Sequence, residues 1–217
     1  MSRKIASAVA LTACLAASSA QADNVLFTGF ADGSENVTLS TTVRNGTVPA
    51  GGLATSLNGG PSFTTYCIDL VDTITFGVTY TDYTQVPGAS FIFPNSDAYL
   101  DLSKLFGLAG NPVGATMEAA FQMAVWEIVY ETGPTYNLAA GSATFAGSAG
   151  ATSQAATWLA TLASLSGGPA LTVLSSQLAQ DVIYAPVPEP ETYALMLAGL
   201  AVLGSIAKRR AKAKAAA

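Results

Sequence analysis

In a chain of 217 residues that holds 20 glycines and 10 prolines, the run from Ala115 to Glu131 contains neither. Apolar residues recur in it at Phe121, Val125, Ile128 and Val129, a spacing that predicts a helix with a buried face. Gly133-Pro134 marks the stop. Gln122 and Trp126 stand four apart and so share one side of that helix. Around Tyr66-Cys67-Ile68-Asp69-Leu70 the period drops to two and the neighbours turn β-branched or aromatic. That pattern reads as a buried strand on which Cys67 points the same way as Thr65 and Asp69. The expected class is α+β and β-rich, a barrel or sandwich-like exported domain with one or two packed helices.

The other segments follow the same two periods. Strands are expected over Val25–Phe30 and Asn36–Val43, with a turn at Asp32-Gly33-Ser34 between them. Gly46 to Pro61 reads as a Gly/Pro/Asn-rich connection, and Phe63–Val71 and Thr73–Tyr83 as strands. Ser96–Phe106 reads as a short helix and Ala139–Gly150 as a loop. Thr152–Leu165 reads as a second long helix with Trp158, Leu159, Leu162 and Leu165 inward, and Leu171–Ala185 as one or two closing strands.

Both ends carry addresses. Ser2-Arg3-Lys4, an apolar run from Ile5 to Ala17 and Ala20-Gln21-Ala22 form a secretory signal peptide over residues 1–22, cleaved before Asp23. At the other end, Val187-Pro188-Glu189-Pro190 precedes an apolar run from Tyr193 to Ala207 and the basic cluster Lys208 to Lys214. An apolar stretch held by a basic cluster is a membrane stop signal, although the run is shorter than a comfortable span. The order and spacing over 187–217 resemble the PEP-CTERM sorting tail. That resemblance implies a Gram-negative bacterium and processing by an exosortase-type membrane protease. It further implies transient inner-membrane anchoring, then release to the cell surface or extracellular matrix.

Between the two addresses, residues 23–186 are left as the ectodomain. That span has 12 acidic residues against two basic ones, Arg44 and Lys104, a net charge of −10. Such a surface repels phosphate backbones and excludes nucleic acid as a partner. The chain has no histidine, which removes Ser-His-Asp and Cys-His catalysis and the usual zinc sites. Asp69, Asp72 and Asp82 lie in no Ca²⁺-binding loop pattern, and no phosphate or dinucleotide loop occurs. No catalytic residue, metal site or cofactor is expected.

With Cys14 lost in the leader, the mature chain keeps Cys67 alone. A lone cysteine in an exported protein pairs between chains, stays as a small buried hydrophobe, or does other chemistry. Tyr66-Cys67-Ile68-Asp69-Leu70 followed by Gln122-Met123-Ala124-Val125-Trp126 resembles the bacterial thioester domain of TQxA-type surface adhesins. The resemblance implies that Cys67 and Gln122 join in a thioester, supported by Tyr66, Asp69, Ala124 and Trp126. It also implies covalent, adhesin-like capture of an amine or hydroxyl nucleophile on a protein or polysaccharide, not enzymatic turnover. The other function class is a non-reactive matrix or biofilm component in which Cys67 is a buried free thiol.

Overall fold

The computed structural model describes residues 22–133 and 135–186, together with 199, 200 and 203. The leader and the sorting tail therefore lie almost wholly outside the described residues. Among the described residues no helix is long and apolar enough to cross a membrane.

The chain starts with strands β1 (Asp23–Phe30), β2 (Glu35–Ser40), β3 (Asn45–Ala50), β4 (Leu53–Leu57), β5 (Ser62–Cys67) and β6 (Thr79–Pro87). Helices α1 (Ala98–Ala109) and α2 (Ala115–Tyr130) follow, then β7 (Thr144–Ala146), α3 (Ala149–Thr161), β8 (Thr172–Ser175) and β9 (Val182–Tyr184). Six antiparallel strands close a barrel in the order β1-β4-β5-β9-β8-β6, and β3-β2-β7 form a separate sheet. The class is α+β and β-rich, with α1, α2 and α3 packed beside the sheets.

The barrel is filled by its inward residues, among them Val25, Phe27, Leu53, Tyr83, Leu174 and Val182. A second, larger core lies outside it, built around α2. Every residue of α2 from Glu118 to Tyr130 is buried, as expected of a helix covered on all sides. The helix packs against α1, α3, β5 and the three-stranded sheet. Phe121 anchors one side, meeting Phe106 of α1 and Trp158 of α3 edge to face at 5.0 and 5.9 Å between ring centroids.

Several sequence boundaries need correction. The Gly46–Pro61 connection contains both β3 and β4. Pro49 is tolerated because β3 is the edge of its sheet, where a missing N–H costs no ladder bond. The strand expected over Phe63–Val71 ends at Cys67, and the one expected over Thr73–Tyr83 begins only at Thr79. Residues 73–78 have strand-like composition but are tied locally. Thr75 N–H donates to the Tyr80 hydroxyl at 2.8 Å, and Gly77, at φ +81°, donates to the Phe27 carbonyl at 2.8 Å. The strand expected over Asn36–Val43 is β2 and stops at Ser40, because Thr41 folds back onto Arg44. The Ala139–Gly150 loop holds β7 and the start of α3, whose first turn is capped by Ser148 accepting from Ala151 N–H.

Candidate functional site

The end of β5 is where the barrel and α2 meet. β4 pairs with β5 only as far as Leu53 opposite Thr65. On its other side β5 continues along β9, with Cys67 opposite Val182 and Ile68 N–H donating to the Asp181 carbonyl. At Cys67 the backbone N–H and C=O thus turn toward the side that β4 has left. Unpaired, they would be buried polar groups of the kind proteins avoid.

Gln122 satisfies both. Cys67 N–H donates to Gln122 Oε1 at 2.9 Å, and Gln122 Nε2 donates to the Cys67 carbonyl at 2.7 Å. The side-chain amide takes the place of one residue of a missing strand. Both partners are buried, Gln122 at 1% and Cys67 at 5% exposure. The Cys67 thiol itself donates to the Asp69 carbonyl at 2.7 Å and forms no disulfide among the described residues.

The rest of that face of α2 clasps the same stretch at four-residue intervals. Glu118 accepts from the Tyr66 hydroxyl at 2.8 Å and from Gly52 N–H at 3.0 Å. A Cβ on Gly52 would come within 2.5 Å of the Glu118 carboxylate, so this approach needs glycine. Burial holds the Glu118 carboxyl above its usual range, against the pull of these two hydrogen bonds. Tyr130 accepts from Leu70 N–H at 2.8 Å and donates to the Ile68 carbonyl at 3.3 Å. Between them lies Trp126, stacked on Phe145 at 6.0 Å. Its indole N–H has no partner at full hydrogen-bond geometry among the described residues.

A cavity of about 190 Å³ opens beside Cys67 and Gln122, lined also by Trp126, Gln180, Thr73 and Arg44. Burial pushes the Cys67 thiol up to about 12, while the Trp126 indole N–H and, more weakly, the Arg44 charge favour its thiolate. The sulfur is a neutral thiol at physiological pH.

The residues expected to support this pair divide. Trp126 lines the cavity with Cys67 and Gln122. Tyr66 does not: its side chain leaves the strand on the opposite face and packs on Phe121 at 4.3 Å between ring centroids. It steadies the strand through Glu118 and does not cover the cavity. Asp69 shapes the turn after β5, its carboxylate accepting from Val71 and Asp72 N–H and its carbonyl from Gln180 Nε2 at 3.1 Å. Ala124 follows Gln122 by about 200° around the helix and shares the Phe121 side, away from Cys67. Glu118 was missed in the sequence, although its i−4 spacing from Gln122 puts it on the same helix face. Arg44 had no signal beyond being one of two cations.

The comparisons with known proteins address the two ends of this description separately. Residues 186–211 match the PEP-CTERM protein-sorting motif. The chain carries that motif. It marks the protein for export, with C-terminal membrane anchoring and processing by an exosortase, a membrane protease. The Val187-Pro188-Glu189-Pro190 stretch falls inside the matched residues. No curated protein matches the sequence. Among solved structures the chain is similar to the N-terminal thioester domain of fibronectin-binding protein SfbI from Streptococcus pyogenes. The identity is 12% and the TM-score 0.44, over 72% of this chain and 95% of that one. A likeness at that score carries no weight for the chemistry, which rests on the geometry at Cys67.

Proposed function

We propose that this protein is exported to the bacterial cell surface or extracellular matrix, where a Cys67–Gln122 thioester captures a nucleophile once, without turnover. The observation that carries the reading is the two-bond docking of the Gln122 amide on the Cys67 backbone, beside a cavity. Holding thiol and amide on one residue's width of chain converts a bimolecular attack into an intramolecular one.

The chemistry balances without a histidine or a cofactor. Cys67 Sγ attacks Gln122 Cδ, the C–N bond breaks, and the thiol proton leaves with the amide nitrogen as ammonia. Charge developing on Oε1 is met by Cys67 N–H, the donor at 2.9 Å. Opening runs the other way. An incoming amine attacks Cδ, the C–S bond breaks, and a proton from the amine restores the Cys67 thiol. Gln122 is left as an N-substituted amide; a hydroxyl nucleophile leaves an ester. Trp126 on the cavity wall limits access of water to the bond.

A second reading has one observation in its favour. The Gln122 amide is engaged at both its oxygen and its nitrogen by the Cys67 backbone, as in an inert structural tie. The domain is then a passive matrix component and the sorting tail carries its biology. Incubation of the exported protein with methylamine separates the two. Capture predicts one methylamide located on Gln122 by peptide fragmentation and none in Cys67→Ala. An unmodified protein, or an adduct on another residue, would refute the thioester.

A further inference from the structure

The cavity beside Cys67 has a feature that thioester formation leaves unused. Arg44 ends the turn between β2 and β3 and lines the cavity. The turn is pinned. Arg44 N–H donates to Thr41 Oγ1 at 3.0 Å, and the Arg44 carbonyl accepts from Thr41 N–H at 2.9 Å and from its hydroxyl at 3.0 Å. The half-buried side chain forms no ion pair among the described residues, whereas Lys104 is paired with Asp101 at 2.8 Å. In a span with 12 acidic residues and two basic ones, a cation placed for solubility or stability would readily find a carboxylate. Arg44 instead lines the cavity with its guanidinium unpaired by any carboxylate among the described residues. The same cavity is lined by Phe30 and Phe76, which meet edge to face at 5.2 Å, and the Phe76 ring is exposed.

We infer that Arg44 binds a carboxylate of the incoming molecule and so selects nucleophiles, amine or hydroxyl, borne a few bonds from a carboxylate group. The selection of nucleophiles rests on the thioester reading above; the carboxylate site itself does not. A guanidinium presents two parallel N–H donors that match a carboxylate, and such charge-assisted bonds are about twice as strong as neutral ones. One unsupported cation suits a monoanion. A phosphate dianion would need further positive charge, which the net −10 of the span denies it. That same field turns anions away elsewhere on the surface, so a local cation is what admits one here. The flat Phe76 ring supplies the apolar wall against which the carbon frame of such a molecule rests.

Two measurements on the full-length protein in detergent test this. In the first, Cys67→Ala removes the thioester, and ligand-observed NMR compares N-acetylglycine with N-acetylglycinamide. The acid should bind, the amide should not, and adding Arg44→Gln should weaken the acid roughly tenfold or more, with Arg44→Lys between. No binding of the acid, or equal binding in Arg44→Gln, overturns the site. In the second, the thioester is present and adduct rates with glycine and glycinamide are compared per unprotonated amine. The glycine-to-glycinamide ratio should fall roughly tenfold in Arg44→Gln, a ratio that cancels any effect of Arg44 on the leaving thiolate. An unchanged ratio overturns the selection. Failure of every amine, methylamine included, instead overturns the thioester reading, and the first measurement still decides the carboxylate site.

Discussion

Gln122→Ala should destabilise the protein more than Cys67→Ala, although both remove the same crosslink. The thioester would tie residues 55 apart, a constraint worth about 4 kcal/mol by loop entropy, and each variant loses it. Beyond that they differ, because Gln122 bonds the Cys67 backbone and not its sulfur. Cys67→Ala leaves both bonds in place and vacates one atom's space, about 1 kcal/mol. Gln122→Ala strands a buried N–H and a buried C=O at about 1–3 kcal/mol each. The extra loss in Gln122→Ala is therefore about 1–5 kcal/mol, or about 2–4 °C of melting temperature per kcal/mol for a domain of this size. Denaturant unfolding of the wild type and both variants, fitted with a common slope, reads the difference directly. A Gln122→Ala protein as stable as Cys67→Ala would mean that the amide does not hold the end of β5, and the geometric basis of the site would fail.

Other outcomes follow from the same contacts. Burial first, and the neighbouring Glu131 charge, hold the Glu127 carboxyl up to about 7 from its ordinary 4.5, against a hydrogen bond from Asn137 N–H at 2.6 Å. A carboxyl that keeps its proton longer in the folded chain costs stability as pH rises from about 4.5 to about 7, on the order of 3 kcal/mol in all. Glu127→Gln keeps the acceptor for Asn137 and should flatten that slope in urea unfolding between pH 4 and 8; an unchanged slope would assign it elsewhere. The sorting tail should be absent from the exported protein, so recovery of an intact Tyr193–Ala217 segment from the cell surface would contradict processing. Thr73 is exposed and lines the cavity, whereas Lys104 on α1 is engaged by Asp101. Thr73→Lys should therefore acylate itself, keeping the loss of ammonia but no longer accepting methylamine; continued uptake would show that an amine placed on the cavity wall does not reach the bond.

The parts of the fold that were legible are those whose burial follows one period. The unbroken run over 115–131 became α2 because no glycine or proline interrupts it, whereas the pairing of Cys67 with Gln122 came from the resemblance of the two motifs and not from periodicity. The structure brings the Gln122 amide to the Cys67 backbone, with the sulfur turned to the Asp69 carbonyl. The hidden strands are those whose composition imitates loops. β3 contains Gly46 and Pro49, admissible only because it is an edge, and edges are set by tertiary order. Conversely, residues 73–78 look like a strand but are held by the Tyr80 hydroxyl and the turn at Gly77. Within the site, Tyr66 was expected to support the bond, yet alternation along β5 sends its side chain to the opposite face, onto Phe121. Arg44 was unreadable as a site residue because its place in the cavity lining is set by tertiary packing of the β2–β3 turn, which no local pattern encodes.

The most direct measurement of the Cys67–Gln122 bond is the intact mass of the exported protein together with its free thiol content under denaturing, mildly acidic conditions. A thioester predicts a mass one ammonia below that of the processed sequence, no thiol open to alkylation, and full mass restored in both Cys67→Ala and Gln122→Ala after allowing for the substitutions. A wild-type protein at full mass with one alkylated cysteine would contradict it.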